Sequence, residues 1–344
     1  MEKEITECKD RCNILVCGTV SSGSSAINNL LKEYDNIGYF PFEFDDFRAP
    51  GLVADQLSCT SCINFPNKID EIARFNHFIS RIVLKSSIWK FIPKSFLDLN
   101  YNNRLYRRAK ELLIILNRFH LLLELNKKIK MNIPIEKKIL FTHQWIQNIG
   151  DVFSLKKEFI LFDQPIQKTT DISTWTTVFN PYKLIIVYRN PGDQIADMIK
   201  RKTFFKHYGS PNTTSAGFNI DSIYGRKRKS ALRFHVDAIK KRLKWIDRLE
   251  DELDSDHLLV IDFEGLVNNY DEYKLKVEEF IGGIKEHHQL KYKFFDPDRS
   301  KENIGICNKY LNNEDLKDLK ELDNWYTKRI KNKEISTYNY QTIS

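Results

Sequence analysis

Ile14-Leu15-Val16-Cys17-Gly18-Thr19-Val20-Ser21-Ser22-Gly23-Ser24-Ser25-Ala26-Ile27-Asn28-Asn29-Leu30-Leu31 is the stretch whose reading decides the fold. Ile14, Leu15 and Val16 form a continuous apolar run, the pattern of a parallel strand covered on both faces. Between Gly18 and Gly23 every residue except Val20 is Gly, Ser or Thr, so the backbone can turn tightly. Ile27, Leu30 and Leu31 recur at helical spacing, which predicts a helix from about Ser24 with hydroxyl residues at its cap. A turn of small residues that feeds a helix N-terminus gathers N–H groups and the positive end of the helix dipole. Its ligand is an anion such as phosphate or sulfate. The competing reading is a serine-rich turn that binds nothing.

The side chains separate two uses of this device. The nucleoside-triphosphate P-loop needs a Lys where this chain has Ser24, and without it the β- and γ-phosphates lose their main cation. Ser22-Gly23-Ser24-Ser25 resembles the second half of the loop of sulfotransferases that use 3′-phosphoadenosine-5′-phosphosulfate (PAPS). That resemblance implies binding of the 5′-phosphosulfate by Ser21, Ser22, Gly23, Ser24 and Ser25, with no metal required. Ser21 departs from it, standing where the family has Lys or Arg; Arg48, Lys85 and Lys301 are candidates for the missing cation.

The chain has 344 residues, six cysteines and a net charge of +8. This length accommodates one large α/β domain or two small ones. Met1–Arg11 is too polar for a secretory signal, and Leu112–Leu125 is too short and too polar to span a bilayer. A cytoplasmic protein is the expectation, its cysteines reduced and unremarkable rather than a zinc quartet of Cys8, Cys12, Cys59 and Cys62. From Arg226 to Lys244 nine Lys or Arg face the single acid Asp237. Such a run fits either an anionic partner or a solvated helix face, and no nucleic-acid-binding signature accompanies it.

Ile37–Glu43 reads as a second strand that ends in Glu43, Asp45 and Asp46, after a turn at Asp35-Asn36. In an open parallel sheet ligands sit beyond the carboxyl ends of the strands, where this cluster projects. Glu43-Phe44-Asp45-Asp46-Phe47 is similar to the segment carrying the general base of glycan-directed sulfotransferases, which implies Glu43 as the base; an acidic surface loop is the alternative. Lys138–His143 and Glu158–Pro165 read as further strands. By resemblance to the small-molecule sulfotransferases, Asp163 occupies the position of their catalytic His. His143 is a third candidate base.

Leu184–Tyr188 predicts a buried strand from which Arg189 emerges, with Asn190 as the cap and Pro191 as the first residue of the next helix. This resembles the 3′-phosphate motif of the same family, which implies a two-point contact from Arg189. Where the family often has a Ser, this chain has Asp197, expected to pair with a basic group or with Arg189. Arg226–Asp251 reads as a long basic helix, His257–Val267 as a late strand containing Glu264, and Tyr273–Ile281 as a helix. Asp296–Gly305 is the polar loop that closes over the nucleotide in the relatives, which implies contacts from Arg299 and Lys301.

The expected fold is therefore a P-loop-like three-layer α/β domain over residues 12–327, with a central parallel sheet flanked by helices. Residues 1–11 and 328–344 read as polar tails. Residues 48–138 read as a helical insertion (helices Ile69–Leu84 and Leu105–Ile129, with His120 partly buried) that caps the site; its basic and apolar mixture also suits peripheral contact with a membrane. The expected activity is sulfuryl transfer from PAPS to a hydroxyl of a glycan, a lipid or sterol, or a small alcohol. A kinase on a degenerate P-loop and a catalytically weak PAPS- or polyanion-binding protein are the alternatives. Acceptor identity and oligomeric state are not encoded in any motif.

Overall fold

A computed structural model describes residues 11–40, 43–48, 53–58, 120–122, 124–125, 127–129, 133–152, 157–166, 171–205 and 228–341. Five parallel strands form a central sheet flanked by helices: β1 (Cys12–Gly18), β2 (Ile37–Tyr39), β3 (Phe159–Asp163), β4 (Tyr182–Tyr188) and β5 (Leu258–Asp262), in the order β2-β3-β1-β4-β5. The sheet is parallel, as the apolar runs predict. Ile14–Cys17 and Leu184–Tyr188 are completely buried. The chain divides into two compact units, Met1–Val16 with Tyr34–Lys183, and Cys17–Glu33 with Leu184–Ser344.

In the first unit Val16 lies in register with Asp163, and the Gln164 N–H donates to the Val16 carbonyl at 2.8 Å. β2 is shorter than predicted; the chain leaves the sheet after Tyr39, and Phe44 and Phe47 are fully buried. The Phe44 ring meets Phe162 edge-on at 4.8 Å, and Phe47 meets Phe179 at 5.1 Å. Such pairs contribute about 0.5–1.5 kcal/mol each beyond the area they bury. They fix the segment while Glu43 stays exposed.

Lys138–His143 is not a strand. It belongs to the helix Ile135–Val152, which begins after Pro134. Thr142, Trp145, Ile146 and Ile149 are buried, a spacing of three and four that only a helix satisfies. The expected helix Ile69–Leu84, most of the Leu105–Ile129 helix, Lys85, Cys8, Cys59 and Cys62 lie outside the described residues. Residues 120–122, 124–125 and 127–129 are helical, and there His120 is exposed beside Glu124 rather than partly buried.

In the second unit the helix Ser24–Leu31 follows the small-residue turn, and the helix Pro191–Lys200 follows β4. The basic segment forms the helix Arg228–Glu252, with Trp245 and Leu249 on its buried face. The predicted late strand is cut short at Asp262, whose carboxylate accepts the Gly265 N–H at 2.6 Å and starts the helix Phe263–Asn268. Tyr270–Ile281 ends at Gly282, in the left-handed region at φ 72°. The last helix runs from Asn313 to Gln341, through the boundary at residue 328. Arg329 pairs with Asp247 at 2.8 Å there and lies over the Tyr188 ring. Among the described residues no helix is long and apolar enough to cross a membrane.

Candidate active site

The turn after β1 is built by its backbone. Ser21 and Gly23 both take left-handed conformations, at φ 57° and 87°. The Ser22 N–H closes a turn onto the Thr19 carbonyl at 3.1 Å. Left-handed residues recur in the backbone concavities that gather N–H groups around anions. Gly23 is the N-cap of the helix Ser24–Leu31, with no side-chain capping bond. The expected hydroxyl cap is thus replaced by a glycine in a conformation that suits it. A Cβ at Gly23 would strike the Phe263 ring, and one at Gly18 would strike Ser22 Oγ. The turn tolerates no bulk at either glycine.

The turn after β4 is built by its side chains. Asn190 Oδ1 accepts the Asp193 N–H at 3.1 Å, and Pro191 occupies the first helical turn. Glu264 Oε1 accepts the Asn190 N–H at 3.1 Å, and its other oxygen accepts the Tyr326 hydroxyl at 2.7 Å. Burial pushes the Glu264 carboxyl above the usual range, against the lowering effect of the Tyr326 hydroxyl. Its hydrogen bonds brace the backbone beside Arg189.

Arg189 joins the two turns. Tyr188 is in register with Asp262, so Arg189 and Phe263 leave adjacent strands side by side, and the guanidinium lies 5.0 Å from the Phe263 ring centre. Nη1 donates to the Ser21 carbonyl at 3.2 Å, and Nη2 donates to the Asn303 carbonyl. The expected two-point fork is thus engaged by two backbone carbonyls. Nε is buried without a hydrogen-bond partner, and Ser22 Oγ, on a side chain that is also buried, has none. Burial lowers the Arg189 pKa, opposed chiefly by Asp193. Two orphaned donors and a desolvated cation beside the turn fit a phosphate- or sulfate-bearing ligand.

Other contacts complete the surroundings. Asp193 accepts the Gly305 N–H at 2.7 Å and the Cys307 N–H at 2.9 Å, which docks the 296–310 segment on the start of the Pro191–Lys200 helix. Asn303 is the residue of that segment that meets Arg189. Lys301 pairs with Asp298 at 2.7 Å on its own short helix, and Arg299 is exposed. Asp197 is buried and pairs with Arg201 at 2.8 Å, not with Arg189. Gln194 Nε2 donates to the Arg189 carbonyl at 2.8 Å, while its Oε1 accepts the Thr19 hydroxyl.

The structure also brings in a cation that was not singled out in the sequence. Arg242 Nη2 donates to the Gly18 carbonyl at 2.9 Å, and the guanidinium stacks 4.1 Å from the Trp245 ring centre. Arg242 lies inside the basic run, but composition cannot say which of those side chains faces the turn. Arg48, an earlier candidate for this role, pairs with Glu43 at 2.5 Å in the first unit.

The three candidate bases all belong to the first unit. The Phe44 N–H donates to the Asp163 carbonyl at 2.7 Å, so Glu43 and Asp163 share the carboxyl end of β3. His143 lies elsewhere. Its Nδ1 is 3.1 Å from the Val178 carbonyl, and it lines an open groove with Glu136, Thr177, Asn180 and Tyr182, before and at the amino end of β4.

No protein-family model matches the chain, and no curated protein sequence matches it. Solved structures with a similar arrangement include the sulfotransferase domain of a Synechococcus olefin synthase. It is 12% identical over 88% of this chain and 95% of that domain, with a TM-score of 0.38. A sulfotransferase domain from the curacin biosynthetic pathway is 12% identical over 91% of this chain and 96% of its own length, with a TM-score of 0.39.

Proposed function

We propose that the protein is a PAPS-dependent sulfotransferase acting on an acceptor hydroxyl. The observation that carries this is the pair of buried, unpartnered donors, Ser22 Oγ and Arg189 Nε, beside a left-handed turn at the start of a helix. When bound, PAPS supplies the sulfuryl group, which moves to the acceptor oxygen as its bond to the 5′-phosphate breaks. Ser22, Gly23, Ser24 and Ser25 hold the 5′ end through N–H and hydroxyl donors at the helix terminus. Arg189 recognises the 3′-phosphate by exchanging its carbonyl partners for phosphate oxygens, with charge-assisted bonds that are shorter and stronger.

Arg242 takes the part of the cation missing at Ser21. Its N–H covers the Gly18 carbonyl, a negative dipole end that would otherwise repel an anion in the turn, and its charge adds to the local potential. Glu43 serves as the base that accepts the hydroxyl proton, and Arg48 orients it.

The test is release of adenosine 3′,5′-bisphosphate from PAPS in the presence of glycan, sterol and small-alcohol acceptors. Acceptor-dependent release supports the proposal. Magnesium-dependent ADP formation from ATP, with no turnover of PAPS, replaces it with a kinase. Glu43→Gln should lower turnover by about two to four powers of ten while sparing nucleotide affinity. Near-normal turnover in that variant, beside an inactive Asp163→Asn, transfers the role to Asp163.

A further inference from the structure

Among the described residues seven large apolar side chains are substantially exposed, and three of them fall within five residues: Leu290, Tyr292 and Phe294. Lys291 and Lys293 alternate with them, their amines 4.8 and 5.5 Å from the Tyr292 and Phe294 ring centres. Both lysines are exposed.

This short segment is held with unusual care. Glu33, two residues beyond the helix Ser24–Leu31, is completely buried. One of its carboxylate oxygens accepts the Phe294 and Phe295 N–H groups at 2.8 and 2.9 Å. The other accepts the Tyr292 N–H at 3.1 Å and lies 2.9 Å from His288 Nε2. The Lys293 N–H closes a turn on the Leu290 carbonyl at 2.9 Å. Phe295 points inward against Tyr270, and Tyr292 sits in the left-handed region at φ 63°, which an aromatic residue rarely adopts. A buried carboxylate that engages three N–H groups of one turn holds Leu290, Tyr292 and Phe294 partly exposed, with the Tyr292 ring centre 5.6 Å from that of Tyr270.

We propose that the 290–294 turn docks the protein on an anionic lipid surface. Tyr, Phe and Leu side chains enter the interfacial layer, while lysines between them keep their amines at the headgroups. The alternation matches that chemistry, and the two positive charges complement an acidic leaflet. A pre-ordered turn reduces the entropy lost on binding. This contact is separate from the one expected of the 48–138 insertion. Because Glu33 follows the C-terminal end of the helix whose N-terminal end meets the Gly18–Ser25 turn, docking here leaves that turn uncovered.

The experiment is co-sedimentation of the full chain with vesicles of phosphatidylcholine alone and of phosphatidylcholine with phosphatidylserine. Binding to the anionic vesicles, weakened by salt, is expected. Lys291→Ala/Lys293→Ala should reduce it about thirty-fold, from about 1 kcal/mol per lysine near an acidic surface. Leu290→Ser/Phe294→Ser should reduce it as well, with unchanged melting curves showing that both variants fold. No vesicle binding, equal binding to both vesicle types, or parent-like binding by folded variants overturns the proposal. Capture of single-stranded oligonucleotides, sensitive to the same substitutions and without vesicle binding, assigns the turn to nucleic acid and also overturns it.

Discussion

The turns after β1 and β4 stand side by side in one unit and reach similar ends by opposite means. The first is specified by backbone: left-handed Ser21 and Gly23, and two glycines with no room for a Cβ. The second is specified by side chains, with Asn190 capping, Glu264 bracing and Arg189 projecting. A backbone-built turn offers donors but no net charge. A side-chain-built turn carries charge, at the cost of burying it. The pair teaches that the first turn depends on cations lent by its neighbours, Arg189 at the Ser21 carbonyl and Arg242 at the Gly18 carbonyl.

Removing the charge of the second turn should have the largest effect. Arg189→Ala is expected to weaken adenosine 3′,5′-bisphosphate by about a hundred-fold, since charge-assisted bonds contribute about 1.5–3 kcal/mol each. Adenosine 5′-phosphosulfate, which lacks the 3′-phosphate, should be affected much less. Arg189→Lys should also be impaired because the planar fork is lost. Equal losses for both ligands in calorimetric titrations would mean that Arg189 only ties the two turns together.

The lent charge of the first turn comes next. Arg242→Gln is expected to weaken ligands bearing a 5′-phosphate or 5′-phosphosulfate by about ten-fold, the scale of one charged hydrogen bond. Adenosine 3′-monophosphate should bind as before, and Arg242→Lys should recover part of the loss. If the 3′-monophosphate weakens in parallel, Arg242 is a structural brace and the contrast between the turns fails.

The smallest effect concerns the brace of the second turn. Burial raises the Glu264 carboxyl pKa on folding, so its contribution to stability is complete below the unfolded carboxylate pKa. That contribution is lost as the pH rises through the raised value. Glu264→Gln removes this titration, and its melting temperature relative to the parent should therefore rise between acid and neutral pH. A difference that is constant with pH would show that the carboxylate is not held in a destabilising environment.

The parts of this architecture that were legible in the sequence are those written in consecutive residues. Ile14–Leu31 and Leu184–Pro191 each carry strand, turn and helix signals in order, and both formed as read except for the cap at Gly23. Lys138–His143 misled because a short apolar run has no period of its own; only its burial with Trp145, Ile146 and Ile149 reveals a helix. Phe263-Glu264 was assigned to a strand because Asp262 acts as a helix cap at the end of an apolar run. Arg242 at Gly18 and Asn303 at Arg189 are meetings across more than a hundred residues, which no local pattern announces.

In the proposed function these two turns together hold a nucleotide carrying both a 3′-phosphate and a 5′ anion. Thermal melting with and without adenosine 3′,5′-bisphosphate tests it most directly. Binding to the native state alone stabilises by about 2.7 kcal/mol at a hundred times the dissociation constant, so the melting temperature should rise. ATP with magnesium at the same concentration should raise it less. An equal shift from both nucleotides, or none from the bisphosphate, would contradict the account.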